Sequence, residues 1–122
     1  MQRTVFFISD GTAITAETLG HSLITQFPDV NFHQVRLPFV DNEEACREAV
    51  EVIDDASEKD GAPAIVMNTI VERSLCDIIA TSQGIILDLF GSFVSTLEDA
   101  LGTRHQPTVG QAHGLTNVDR YE

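Results

Sequence analysis

The chain has 122 residues, 43% of them apolar, and carries 19 acidic against seven basic side chains, a formal charge of −12 at neutral pH. That is the size of one ordinary domain, with enough apolar material for a real core. Charge of this sign repels phosphate backbones, which argues against nucleic acid as a partner, and no apolar run is long enough to span a bilayer.

Four strand-then-helix units follow one another. The first strand is predicted over Thr4–Ile8. The chain enters it after three residues, which leaves no room for a signal peptide and makes the cytoplasm the expected compartment. Its helix shows a three-and-four spacing of Ala16, Leu19, Gly20, Leu23, Ile24 and Phe27, with Gly20 expected to pack closely on the sheet, and Pro28-Asp29 ends it. The second strand, Asn31–Leu37, sets Phe32, Gln34 and Arg36 against His33, Val35 and Leu37. Such alternation marks one wetter face and hence a strand near the sheet edge.

Asp41 followed by Glu44 reads as a capping box for a second helix running to about Glu58, with Ala45, Ala49, Val52, Ile53 and Ala56 inside. Residues 41–60 hold nine acids against Arg47 and Lys59. A solvated helix face explains them; docking on a basic partner is the other reading. The third strand, Ala64–Asn68, is apolar on both faces and is expected to be central. A third helix presents Val71, Leu75, Ile78 and Ile79 to the core. The fourth strand, Ile85–Leu89, leads to a last helix capped by Ser92, with Phe93, Leu97 and Leu101 inside and Gly102 after it. Repeated βα alternation with near-continuous apolar strands predicts an α/β fold. It is a doubly wound, mainly parallel four-stranded sheet with helices on both faces, a Rossmann-like or flavodoxin-like three-layer sandwich. Residues 1–102 form this domain, and the polar stretch 103–122 reads as a linker or arm, so the chain looks cut from something longer.

In parallel sheets, ligands gather beyond the carboxyl ends of the strands. The most informative segment lies there: Ser9-Asp10-Gly11-Thr12-Ala13-Ile14-Thr15-Ala16-Glu17, directly after the first strand. A helix start leaves amides without partners and adds partial positive charge, so this turn suits an anion. Gly11 is expected to take backbone angles other residues resist, while Ser9, Thr12 and Thr15 supply hydroxyls. Asp10 is the candidate catalytic carboxylate, and Asp88 at the end of the fourth strand a second candidate for phosphate or substrate contact. Two carboxylates, hydroxyls and the amide of Asn68 suit phosphate, hydroxyl or Mg²⁺ chemistry. The plainer alternative is that both aspartates only cap turns and helices.

No nucleotide-binding glycine fingerprint occurs anywhere, and the only lysine, Lys59, is expected in a surface turn far from this edge. That argues against a phospho-acceptor receiver domain. A serine-turn esterase would need a histidine beside its nucleophile, and His113 is the one candidate. His21, four residues after Glu17, is expected to form a helical ion pair, and His33 to sit in a strand at the core or edge. His105 and His113 lie in the polar tail, where Ala112-His113-Gly114-Leu115 is placed to fold over the active edge. Cys46 and Cys76 stand apart, without a neighbouring metal-ligand pattern, and read as buried free thiols.

Phe7-Ile8-Ser9-Asp10-Gly11-Thr12-Ala13-Ile14-Thr15-Ala16-Glu17, Leu37-Pro38-Phe39-Val40 and Ala112-His113-Gly114-Leu115 together resemble the phosphoenolpyruvate synthase regulatory protein family, kin to the pyruvate, phosphate dikinase regulatory proteins. The resemblance implies a bifunctional enzyme. It uses ADP to phosphorylate a threonine beside the target's catalytic histidine, and it removes that phosphate by attack of inorganic phosphate, releasing pyrophosphate. It further implies phosphoenolpyruvate synthase as the protein substrate, and a lysine-bearing nucleotide P-loop in a second half that nothing in this sequence matches. On this reading the chain is the N-terminal α/β domain, inactive as a kinase by itself. A domain so cut would expose apolar surface, and a homodimer is one outcome of that. The competing class is a non-catalytic docking or phosphate-binding module.

Overall fold

The computed structural model describes residues 2–105, built in the order β1 (Gln2–Ile8), α1 (Ile14–Ile24), β2 (Asn31–Leu37), α2 (Glu43–Asp60), β3 (Ile65–Asn68), α3 (Arg73–Ile79), β4 (Ile85–Asp88) and α4 (Leu89–Leu101). The four strands form one sheet in the order β2-β1-β3-β4, and each neighbouring pair is parallel. This is the α/β three-layer fold expected. The strands made of continuous apolar residues, β1 and β3, are central, whereas the alternating β2 is an edge, with His33 exposed on it. Chain order reverses between β1 and β3, so the switch point where such sheets bind ligands lies at their carboxyl ends.

Alternation along β1 divides the core. Phe6 and Ile8 face α2 and α3 and pack with Cys46, Ala49, Ile53, Val66, Leu75 and Ile79. Val5 and Phe7 face the other way, toward Ala16 and Ile24 of α1 and Met67 of β3. Gly20 lets α1 approach that closely: a Cβ there would lie 2.4 Å from Phe7 Cε1 and 3.0 Å from Met67 Sδ.

Several local expectations are corrected. In α1 only Ala16, Gly20 and Ile24 are buried; Leu19 and Leu23 are exposed because the helix presents a single narrow stripe to the sheet, and Phe27, beyond its end, is exposed as well. The cap of α2 is Asn42, whose side chain accepts from the Ala45 amide at 2.8 Å, rather than Asp41. The buried line of α2 is Cys46, Ala49, Ile53 and Ser57, which turns Val52 outward. Ser57 tolerates burial because its hydroxyl donates to the Ile53 carbonyl and accepts from the Ala64 amide. Val71 precedes α3 instead of belonging to it.

The largest departure is α4. It starts at Leu89, with Asp88 rather than Ser92 as cap, and it buries no residue. Phe93, Leu97 and Leu101, expected inside, are all exposed. Gly102 closes it with φ 67°, a left-handed C-cap that favours glycine. The pairing expected between Glu17 and His21 gives way to one across elements: Arg36 on β2 reaches Glu17 at 3.7 Å. No helix among the described residues is long and apolar enough to cross a membrane.

Candidate functional site

Three loops are stitched together where β1, β2 and β3 end. The Ser9 amide donates to the Leu37 carbonyl (3.2 Å), the Val40 amide to the Ser9 carbonyl (2.9 Å) and the Phe39 amide to the Gly11 carbonyl (2.8 Å). On the other side the Thr69 amide donates to the Ile8 carbonyl at 3.0 Å, with the Thr69 hydroxyl directed at the same oxygen. The turn after β1 is therefore held from both flanks. Within it, the buried Ser9 hydroxyl accepts from the Gly11 amide at 2.9 Å.

The left-handed residue of this turn is Ala13, with φ 72°, and not Gly11, whose φ is not positive. Ala13 is the N-cap of α1 and offers no side-chain acceptor; only Thr12 Oγ1 approaches the first amide, Ile14, at 3.5 Å. The start of α1 thus keeps amides that neither helix nor cap engages well, beside the hydroxyls of Thr12 and the exposed Thr15. An oxyanion placed there would meet backbone N–H groups and the positive end of the helix dipole. Phe39 has the second left-handed backbone, φ 59°, and its ring is exposed beside this turn.

Asp10 is only 6% exposed, and its Oδ2 accepts the Val71 amide at 2.9 Å. It braces the loop after β3 against the turn after β1, across the switch point. Asn68, fully buried at the end of β3, accepts from the Ile70 amide and donates to Cys76 Sγ, so its amide is used in the loop itself. Asp88 caps α4 through the Gly91 amide (2.9 Å), and its other oxygen lies 3.4 Å from Arg73 Nη1. Ser9, Asp10, Gly11 and Thr12 form one cluster, and Asp88 belongs to a second one nearer the β4 edge.

That second cluster borders a cavity of about 280 Å³ between the start of α3 and α4, lined among others by Val71, Arg73, Asp88, Glu98 and His105. The His105 ring lies 2.6 Å from Glu98, and the His105 amide donates to the same carboxylate. This double contact holds the Glu98 carboxyl below its ordinary value. Sequence reasoning missed Arg73 and Glu98. The usable signal was an arginine at the first position of the helix after β3, which topology brings to the carboxyl edge. His113 and its neighbours lie outside the described residues.

Among the described residues, no three of His, Cys, Asp and Glu come together as a metal site. Both cysteines are free and buried, as the sequence suggested. Burial pushes the Cys46 thiol up to about 11 and also raises Cys76, against the lowering effect of the Asn68 hydrogen bond. Neither is an activated nucleophile.

Comparison with known proteins agrees with the resemblance in the sequence. A family model described as kinase/pyrophosphorylase matches residues 5–122. Relatives provisionally named phosphoenolpyruvate synthase regulatory protein include one from Alcanivorax borkumensis, 46% identical over 121 residues that are 99% of this chain and 44% of the relative. Another from Marinobacter nauticus is 43% identical over 122 residues, 100% of this chain and 45% of its own length. One from Pseudomonas aeruginosa is 44% identical over 121 residues, 99% of this chain and 44% of its own length. The chain spans somewhat under half the length of these relatives, and it belongs to the kinase/pyrophosphorylase family.

Proposed function

Starting from that membership, we propose that this chain is the N-terminal α/β domain of a bifunctional cytoplasmic phosphotransferase acting on phosphoenolpyruvate synthase. In one direction the terminal phosphoryl group of ADP passes to a threonine hydroxyl of the synthase, leaving AMP. In the other, inorganic phosphate attacks the phosphothreonine, releasing pyrophosphate and restoring the hydroxyl. The nucleotide, with any Mg²⁺, belongs to a P-loop in the remaining part of the longer family members. The present domain supplies the anion site, and alone it is inactive.

One observation carries the assignment of the site: the uncapped start of α1, set at the switch point beside the Ser9 and Thr12 hydroxyls. This turn holds either the attacking phosphate or the phosphothreonine. The helix field contributes about 0.3–1 kcal/mol to such an anion and up to ~2 kcal/mol when partly buried. Asp10 orders the edge through Val71, and it is the carboxylate assigned here to take the proton of the threonine hydroxyl. In a full-length family member, replacing the aspartate matching Asp10 by alanine should abolish one or both transfers to the synthase, read by phosphate incorporation and release. Undiminished rates for both would overturn the assignment.

A further inference from the structure

The two faces of the sheet are unequally covered. A helix is about 10 Å across and strands lie about 4.8 Å apart, so one helix covers roughly two strands and four strands need two helices on each face. The face of Phe6, Ile8 and Val66 has two, α2 and α3. Among the described residues, the face of Val5, Phe7 and Met67 has α1 as its one covering helix, reached otherwise by Leu89 at the start of α4. Beside α1 this leaves a groove of about 390 Å³ that runs along the sheet from Phe32 near the start of β2 to Met67 and Leu87, lined also by Leu23, Phe27 and Ile65. Phe27 is 60% exposed there, and Ile85 and Leu87 of β4 are exposed on the same face. Arg3, the one charged residue in the lining, is occupied by the Pro63 carbonyl.

We infer that this groove seats one amphipathic helix laid beside α1, supplied by the part of the full-length family members that lies outside the region matched here. The relatives have the material, since the matched region is only 44–45% of their length. A second copy of this chain is the poorer occupant. It would bring another net charge of −12, and it would lose the translational and rotational freedom that a segment of the same polypeptide has already given up. The groove shares no lining residue with the Ser9–Thr12 turn, so its occupant joins the two halves of the protein without covering that turn.

Hydroxyl-radical footprinting of the Alcanivorax borkumensis relative, at full length and cut to the matched 121 residues, tests this. Oxidation at the positions matching Leu23, Phe27 and Leu87 should fall severalfold in the full-length protein, while positions matching the buried Val5 and Phe6 stay protected in both. Equal oxidation in the two forms would overturn the inference. So would protection that appears in the short form as its concentration rises, which would identify a second copy. A second reading uses thermal stability, and its refuting arm needs the full-length protein alone. Lysine at the position of Phe27 should lower the Tm of the full-length protein while Phe27→Lys leaves the Tm of the 122-residue chain unchanged, and no loss at full length would overturn the inference. The readouts are accessibility and stability, so the inference stands or falls separately from the proposed phosphoryl transfer.

Discussion

Asp10 offers two substitutions that separate bracing from chemistry. Its Oδ2 accepts the Val71 amide at 2.9 Å in a site only 6% exposed. A hydrogen bond to a charged group contributes about 1.5–3 kcal/mol, a neutral one about 0.5–1.5 kcal/mol. Asp10→Ala removes the acceptor altogether and strands the Val71 amide, so a loss of about 2 kcal/mol is expected. Asp10→Asn keeps an acceptor oxygen in place and should lose about 1 kcal/mol or less. At roughly 4–8 °C per kcal/mol for a domain near this size, alanine should lower Tm by about 10 °C and asparagine by about half of that or less. Thermal unfolding followed by far-UV circular dichroism reads both. If Asp10→Ala melts with the wild type, the carboxylate does not brace the two loops. In the full-length context, Asp10→Asn then becomes the informative variant: a near-native Tm with lost transfer activity assigns the charge, and not the scaffold, to the reaction.

Three further outcomes are expected. Gly20→Ala places a methyl group 2.4 Å from Phe7 and should destabilise by about 1–3 kcal/mol, less the ~1 kcal/mol that alanine adds to helix propensity; an unchanged urea midpoint would mean α1 is free to shift outward. Phe39→Gly removes a left-handed cost of about 1–2 kcal/mol from an exposed side chain, offset by roughly 0.5–1 kcal/mol of unfolded-state entropy, so Tm should hold or rise slightly; a clear fall would show that the ring packs against something. Cys46 has its folded value raised from 9.0 to about 11, so the fold holds a proton that the unfolded chain releases. Stability contributed by that thiol is complete below pH 9 and declines as the pH rises toward 11, and native alkylation at pH 8 should proceed only through unfolding; fast labelling of the folded chain would contradict the burial.

Much of the fold was legible because apolar patterning is a local record of burial. A continuous apolar run put β3 in the middle, alternation put β2 at an edge, and the glycine in the stripe of α1 announced its close packing on the sheet, where it meets Phe7. The failures share one cause. Apolar residues at helical spacing show that a face is to be buried, but not that its cover lies within the same stretch of chain. Phe93, Leu97 and Leu101 carry the right spacing, yet α4 leaves them exposed, as α1 leaves Leu19 and Leu23. The site was legible as a place, since a parallel sheet fixes which loops meet. Its internal arrangement was not: a buried Ala13 takes the left-handed position expected of Gly11, and Asp10 accepts the Val71 amide while Asp88 caps α4.

The central claim is that the turn from Ser9 to Thr12, at the start of α1, is an anion site. Calorimetric titration of inorganic phosphate into this chain, repeated on Thr12→Val, tests it most directly. Phosphate is expected to bind, and the loss of one hydroxyl to weaken it by about 0.5–1.5 kcal/mol, or roughly two- to tenfold in Kd. Absence of heat with the wild type, or phosphate binding untouched by Thr12→Val, would contradict it.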